Sequence, residues 1–287
     1  MKKYTRNDLL QLYEQAEREK YAIPAFNYSD QWDMMAIVEA ASEERAPVLL
    51  MSDPPVYQTI GPKMCAAMVD VLAEKADIPV IHHLDHSAHR SSCKEAIDLG
   101  FKSVMMDASD KPIEQNISYV KEVAEYARKN NCFVEAEIGR IRGESAYETS
   151  YTGDDYLFDL DEAVKLVEEG MPDSLAIGIG NAHGFYVGKP ELNFRKLAEA
   201  KEAISVPLVL HGGTGIPKED IQKAIRGGIR KVNVGTAVYC AYMNGIREQL
   251  IKDGENQFTL DVMRCGMERV KQVIKQWIRV CMANDRV

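Results

Sequence analysis

Short apolar runs recur along the chain and alternate with longer segments in which apolar positions are spaced as on one face of a helix. Strands that alternate with helices indicate a parallel sheet, and eight repeats predict an α/β fold of the (β/α)₈ TIM barrel type. The eight apolar runs, each of strand length, are Ala22–Asn27, Pro47–Met51, Val80–Asp85, Ser103–Asp107, Phe133–Ile138, Ser174–Ile179, Pro207–His211 and Lys231–Val234. The helical segments between and after them are Gln31–Glu44, Lys63–Lys75, Ser91–Leu99, Ile113–Asn130, Leu160–Glu169, Phe194–Ala203, Lys218–Ile225 and Tyr239–Lys252.

Two further helix patterns flank the repeats, Thr5–Glu19 before them and Leu260–Met282 after them, and we expect the first to cover the bottom of the barrel. Because the alternation contains no linker, residues 1–287 are predicted to form a single domain. A doubly wound open sheet has the same local pattern and remains an alternative at this point. The segment Arg140–Asp159 has no helical pattern, and loops of this length are usually functional lids or disordered segments.

The formal charge of −9 argues against a nucleic-acid surface, which needs clustered Lys and Arg. No apolar stretch approaches the roughly 18 residues that span a bilayer, and the N-terminus has no signal-peptide pattern. The six cysteines form no C-x-x-C pair, so we interpret them as reduced thiols. We therefore expect a cytoplasmic protein that binds a small molecule and neither nucleic acid nor membrane.

Polar residues cluster where the predicted strands end. These residues are Asp85, His86, Asp107, Glu137, His183, His211 and Asn233. The carboxyl ends of barrel strands meet at one mouth, so side chains that are distant in sequence are expected to converge there. Three histidines from three strand ends could hold a catalytic zinc ion with a position left open for substrate, although a single histidine at a strand end is more often structural.

The acidic residues have several possible roles. Asp85 directly precedes His86, so their side chains are expected to diverge on a strand, with the histidine toward the metal and Asp85 placed as an acid/base. A helix cap or a supporting carboxylate is the alternative for Asp85. Glu135 and Glu137 share one face of the fifth strand, where buried acids are costly unless paired. Both are predicted to serve the site, as supporting partners or as an alternative metal position.

The remaining basic and glycine-rich features refine this view. The turn from Gly212 to Pro217 is a phosphate-cradle candidate, with a plain tight turn as the alternative. His82 and His89 are interpreted as surface or loop residues. Lys231 is expected to begin the eighth strand on the wrong face for a Schiff base, which disfavours aldolase chemistry of that type.

Several segments, taken in order, resemble the class II, metal-dependent ketose-bisphosphate aldolases, the family of fructose- and tagatose-bisphosphate aldolases. The likeness spans nearly the whole chain. The matching segments are Ala25-Phe26-Asn27, His83-Leu84-Asp85-His86, Ser103-Val104-Met105-Met106-Asp107, Val134-Glu135-Ala136-Glu137-Ile138-Gly139, Ala182-His183-Gly184, Val209-Leu210-His211-Gly212-Gly213 and Lys231-Val232-Asn233-Val234.

The resemblance implies one zinc ion per subunit on His86, His183 and His211, and Glu137 is kept as the alternative metal position. It implies that Asp85 handles the proton of the hydroxyl next to the broken bond. Family members also bind a monovalent cation, Na⁺ or K⁺, near the glycines that follow the last two histidines, and they form homodimers or homotetramers. The residues expected to contact the sugar phosphate are Asn27, Ser52, Gly184, Gly212, Gly213, Thr214, Asn233, Gly235 and Thr236.

Two departures concern the substrate. The mobile loop of the family supplies a glutamate for proton abstraction, and Glu144 is the candidate here, with Glu148 behind it. Fructose-specific members show Asn-x-Asp-Thr-Asp after the eighth strand, whereas this chain reads Asn233-Val234-Gly235-Thr236-Ala237, which favours tagatose-type sugars. Two other classes remain open: a metal-dependent barrel hydrolase, which usually shows a His-x-His pair that is absent here, and a catalytically inactive binding relative of the aldolases.

Overall fold

Eight parallel strands form a closed barrel in a computed structural model that describes residues 4–139, 157–184, 186, 188, 190–255 and 257–287. The strands are β1 (Ile23–Asn27), β2 (Val48–Ser52), β3 (Val80–Ser87), β4 (Ser103–Met106), β5 (Phe133–Ile138), β6 (Ser174–Ile177), β7 (Leu208–Leu210) and β8 (Ile229–Val234). They pair in chain order, and β1 closes the barrel against β8, with Ala25 opposite Asn233. The predicted barrel is confirmed, and the open-sheet alternative is excluded.

Helices surround the barrel in the predicted order. Their bounds are α1 (Arg6–Glu19), α2 (Gln31–Glu43), α3 (Pro54–Ile60), α4 (Pro62–Lys75), α5 (Arg90–Asp98), α6 (Ile113–Lys129), α7 (Leu160–Lys165), which continues into a π-helical turn over Leu166–Gly170, α8 (Phe194–Ala203), α9 (Lys218–Arg226), α10 (Thr236–Asp253) and α11 (Thr259–Val280). The sequence analysis missed α3. Its signals are nevertheless local, because Asp53 accepts a hydrogen bond from the Val56 amide and two prolines occupy the first turn.

The two flanking helices pack against different parts of the barrel. The ring of Tyr13 on α1 stacks on Phe133, the first residue of β5, with ring centroids 5.0 Å apart. Arg6 forms an ion pair with Asp173, which lies just before β6. α1 therefore covers the amino-terminal end of the barrel, as predicted. α11 packs against α2 and α10 near the β1–β8 closure. No helix among the described residues is long and apolar enough to cross a membrane.

The barrel interior is apolar in most places but carries a polar layer below the mouth. His83 and Ser103 share a 2.7 Å hydrogen bond there, and Glu135 and Lys231 lie in the same interior. The prediction for His82 was wrong, since its ring is buried and stacks on Phe101 with centroids 3.6 Å apart. A histidine ring can be buried among apolar side chains when its nitrogen forms hydrogen bonds, as His82 Nε2 does with the hydroxyls of Ser52 and Tyr28.

Candidate active site

Three imidazole rings from different strand ends meet at the carboxyl-terminal mouth of the barrel. His86 lies on β3, His183 lies in the loop after β6, and His211 directly follows β7. One nitrogen from each ring lies within 4.8 Å of a nitrogen of the other two. His86 Nε2 and His211 Nδ1 are 2.9 Å apart, and the rings of His86 and His183 meet edge to face with centroids 4.6 Å apart. The predicted histidines are thus brought together by the fold.

A bulge in β3 presents both Asp85 and His86 to this site. The register between β3 and β4 shifts between Leu84 and Ser87, and the backbone of His86 has φ +44°. A non-glycine residue in the left-handed region costs about 1–3 kcal/mol, and His86 adopts this conformation within a strand and not at a helix end, as strained residues at functional sites often do. Asp85 contacts Asn27 and Asn233, whereas His86 contacts Asp107 and His211, so the two neighbouring side chains reach different parts of the mouth, as predicted.

Carboxylates orient two of the three rings. Asp107 Oδ2 lies 2.8 Å from His86 Nδ1, so the other nitrogen of His86 faces the site. Glu135 Oε1 lies 2.8 Å from His211 Nε2, which leaves Nδ1 of that ring toward His86. A carboxylate on the outer nitrogen is the usual arrangement for metal-ligating histidines. Sequence analysis recognised both acids but not these pairings, which join separate strands.

The donor set fits a divalent cation. His183 Nε2 is buried without a hydrogen-bond partner among the described residues, as expected of a nitrogen reserved for a ligand. Burial lowers the pKa of His183 to about 3, so its ring is neutral and can donate a lone pair at pH 7. Burial also opposes a charge on His86, but Asp85, Asp107 and Glu137 together raise its pKa to about 10. The carboxylates therefore favour positive charge at this point of the mouth.

Glu137 belongs to a second group of possible ligands. Glu137, His86 and Asp107 also offer atoms within 4.8 Å of one another. Glu137 Oε2 is 3.7 Å from His211 Nδ1 and 3.8 Å from His86 Nδ1, and its other oxygen accepts a hydrogen bond from Ser109. An ion on this second group would compete for the His86 nitrogen that Asp107 binds. The three-histidine set leaves that bond intact and is the better supported of the two.

Asp85 lies beside the histidines and is held by two amides. Asn27 Nδ2 donates to one carboxylate oxygen at 3.0 Å, and Asn233 Nδ2 donates to the other at 3.2 Å. Burial disfavours the charged carboxylate, but the nearby His86, His211 and Lys231 outweigh this cost and lower the pKa of Asp85. The group is therefore ionised near neutral pH and can accept a proton from a hydroxyl placed beside it.

The glycine-rich turn after β7 is fitted against the loop that carries His183. Gly212 has φ +64°, and a Cβ there would lie 1.9 Å from the carbonyl oxygen of Ala182. The hydroxyl of Tyr186 ties the two segments, since it donates to Gly212 O at 3.0 Å and accepts from Ala182 N at 2.8 Å. Sequence analysis did not single out Tyr186, whose role depends on contacts between two loops.

Backbone groups after β7 and β8 form a second wall of the mouth. Gly213 N donates to Asn233 O at 3.0 Å, and Thr214 Oγ1 accepts from Ala237 N at 3.1 Å. α10 begins at Thr236 without a side-chain cap. A Cβ on Gly235 would lie 2.7 Å from Asn27 Oδ1, so glycine is required there for Asn27 to reach Asp85. An uncapped helix start beside glycines is a suitable place for an anion.

The other predicted site residues are placed differently. Gly184 follows His183 with φ +81°. Ser52 is fully buried, and its hydroxyl bonds Tyr28 and His82 Nε2 inside the wall. Glu144 and Glu148 lie outside the described residues.

Lys231 requires a correction. It is the third residue of β8, and its Nζ points into the barrel, 2.9 Å from both oxygens of Glu135. The strand begins at Ile229, two residues earlier than predicted, and the expectation that Lys231 lies on the wrong face was incorrect because its side chain enters the barrel. The lysine is fully buried in an ion pair below the mouth, which leaves no room for a substrate carbonyl at its amine.

The closed barrel brings three imidazoles and an adjacent carboxylate together in a mouth that could hold a metal ion. The sequence model of the family "Fructose-bisphosphate aldolase class-II" matches residues 7–286. The YdjI aldolase from Escherichia coli K12 is similar at 31% identity, with 97% of this chain and 98% of that chain covered and a TM-score of 0.84. The chain therefore belongs to the class II fructose-bisphosphate aldolase family. Membership of this family makes it a lyase of the aldolase type.

Two further structures have the same fold. A protein from Coccidioides immitis described as a candidate fructose-1,6-biphosphate aldolase shares 26% identity over 96% of both chains, with a TM-score of 0.87. The fructose-bisphosphate aldolase of Campylobacter jejuni shares 21% identity over 99% of this chain and 97% of that chain, with a TM-score of 0.83. The barrel is therefore common to relatives whose sequences differ widely.

Proposed function

We propose that this protein is a zinc-dependent aldolase that reversibly cleaves a ketose phosphate or bisphosphate, of the tagatose or fructose type, into dihydroxyacetone phosphate and an aldehyde. The observation that carries the proposal is the convergence of His86, His183 and His211 beside Asp85, in a chain of the class II aldolase family. We also propose that residues 1–287 form one domain of a cytoplasmic homodimer or homotetramer, as the family resemblance implies.

The three histidines would hold the metal through nitrogens that their neighbours leave free. These are Nε2 of His86, Nδ1 of His211 and a ring nitrogen of His183. Zinc bound there would act as a Lewis acid that polarises the substrate carbonyl. Imidazole ligands and an open coordination position suit this metal. The fit supports zinc, and backbone groups of Gly184 and Gly212 would hold a Na⁺ or K⁺ ion nearby.

Asp85 would move the proton that accompanies bond cleavage. Its two oxygens are fixed by Asn27 and Asn233, and its lowered pKa keeps it ionised. In the cleavage direction it accepts the proton of the hydroxyl on the carbon that becomes the aldehyde, while the carbon–carbon bond electrons remain with the ketose half. In the synthetic direction it returns that proton to the new hydroxyl.

The phosphate would lie against the walls after β7 and β8. The amides of Gly212 and of Thr236, the first residue of α10, can donate to phosphate oxygens, and Thr214 and Thr236 add hydroxyls. This is the usual phosphate position in barrels of this type. An acidic protein can bind an anion there because backbone dipoles provide the local positive field.

Metal analysis combined with an aldol assay tests the proposal. The purified protein should contain about one zinc ion per chain, cleave a ketose bisphosphate, and lose turnover on chelation, with recovery when zinc is restored. His211→Ala should lose zinc and activity, whereas His89→Ala, at an exposed position, should keep both. A panel of aldehydes offered with dihydroxyacetone phosphate would identify the second substrate. Full turnover by metal-free protein would contradict the proposal.

A further inference from the structure

An ion pair crosses the barrel interior beneath the three histidines. Lys231 Nζ lies 2.9 Å from each oxygen of Glu135, and both side chains are essentially inaccessible to solvent. The two residues come from β8 and β5, which are not neighbours in the barrel. Burying two charges is costly, and well-packed apolar residues of similar volume often stabilise a core as well or better. The pair therefore calls for a reason other than stability.

Its contact with His211 supplies that reason. Glu135 Oε1 lies 2.8 Å from His211 Nε2, and a carboxylate can only accept a hydrogen bond. Nε2 therefore carries the ring hydrogen when this bond forms, which leaves the lone pair on Nδ1. The amide nitrogen of Asn233, 3.1 Å from Nε2, is then a neighbour and not a hydrogen-bond partner, because both nitrogens are donors. Nδ1 is the nitrogen that faces His86, at 2.9 Å. The ring is thus fixed in the tautomer that can donate toward the metal position.

Lys231 determines how the carboxylate is held. Its amine contacts both oxygens of Glu135, so it balances the charge and fixes the plane of the group, and Ser174 adds a 3.2 Å hydrogen bond to Oε2. If the lysine were removed, the buried charge of Glu135 would no longer be balanced, and its carboxylate could rotate away from His211. The ion pair and the imidazole therefore form one connected unit rather than separate contacts.

We propose that Lys231 and Glu135 act as a positioning pair that holds His211 with Nδ1 toward the metal and so sets the affinity of the site for zinc. The inference rests on the proposed function, since it concerns the same metal centre. Neither residue touches substrate in this scheme. Both act through His211.

Zinc affinity, measured by competition with a chromogenic chelator, tests the pair directly. Lys231→Met should weaken zinc binding by about 10- to 100-fold, the usual effect of losing support for a ligand. Lys271→Met, at a lysine paired with Glu39 and Glu43 on the outer surface, is the matched control and should bind zinc as the wild type does.

A double variant separates positioning from stability. Replacing both charges, in Lys231→Met combined with Glu135→Leu, should bring the thermal midpoint back to the wild-type value or above it, because an apolar pair fills the site. Its zinc affinity should nevertheless remain reduced, since His211 has lost the carboxylate. If the double variant binds zinc as tightly as the wild type while His211→Ala loses zinc, the positioning role of Lys231 and Glu135 is wrong and the proposed metal site still stands. A wild-type protein that takes up no zinc would overturn both this inference and the proposed function.

Discussion

Replacing Gly212 by alanine tests how closely the two loops that carry metal ligands must approach. The backbone has φ +64°, which costs a residue with a Cβ about 1–2 kcal/mol. The new Cβ would lie 1.9 Å from Ala182 O, so the loops must separate by about 1.5 Å to reach ordinary van der Waals contact. Overpacking of this kind typically costs about 1–3 kcal/mol. We expect Gly212→Ala to lower the free energy of unfolding by about 2–5 kcal/mol in total.

The same movement should weaken the metal site. His183 and His211 adjoin the two residues that collide, and ligand distances in metal sites tolerate only about 0.2 Å of change. We therefore expect the zinc affinity of Gly212→Ala to fall by at least about 10-fold.

Gly100→Ala provides the matched control. Gly100 also has positive φ, at +99°, but a Cβ there meets no atom of the described residues within 4 Å, and the residue lies at the opposite end of the barrel before β4. This variant should lose only about 1–2 kcal/mol and should bind zinc normally. Urea unfolding of the metal-free proteins and competitive zinc titration measure the two quantities. The reasoning is refuted if both variants lose the same stability, or if Gly212→Ala binds zinc as tightly as the wild type.

Three other substitutions test separate parts of the molecule. Asp85→Asn should retain zinc but lose about 10²- to 10⁴-fold in turnover, because it removes the acid/base group; a steady-state assay that shows unchanged turnover would rule out this role. Glu144→Ala should suppress the exchange of carbon-bound protons of dihydroxyacetone phosphate with solvent, followed by NMR; loss of exchange in Glu148→Ala instead would move the role to that residue. Burial disfavours the charged form of Glu17, but hydrogen bonds from Arg230, Lys20 and Lys201 outweigh this effect and lower its pKa to about 2. The ion pairs of Glu17 therefore stabilise the fold fully above its unfolded pKa of about 4.5, and this stabilisation is lost as the pH falls toward 2. Glu17→Gln should therefore cost about 1 kcal/mol at pH 7 in urea unfolding, and its difference from the wild type should shrink between pH 4.5 and 2; a difference that is constant with pH would contradict this account.

Local pattern was sufficient to predict the architecture. Each of the eight apolar runs became a strand within about two residues of its predicted bounds, since an interior strand must bury its side chains wherever the chain folds. The predicted mouth residues followed from the same pattern, because the ends of parallel strands meet at one edge. His86, His183 and His211 could therefore be grouped before their distances were known.

Other features depended on contacts between distant segments. The β3 bulge that turns both Asp85 and His86 toward the mouth arises from a register shift against β4, which no local alternation reveals. The burial of His82 beside Phe101 and the hydrogen bonds of Ser52 inside the wall depend in the same way on which strands become neighbours.

The order of the elements, the barrel and the residue types at its mouth could be predicted from the chain alone, because periodicity and strand ends are local properties. The free nitrogen of each histidine and the contact of Lys231 with Glu135 inside the barrel became visible only in the folded molecule. The physical reason is that hydrogen-bond partners and buried charge pairs are chosen across the barrel, between strands that are far apart in the chain.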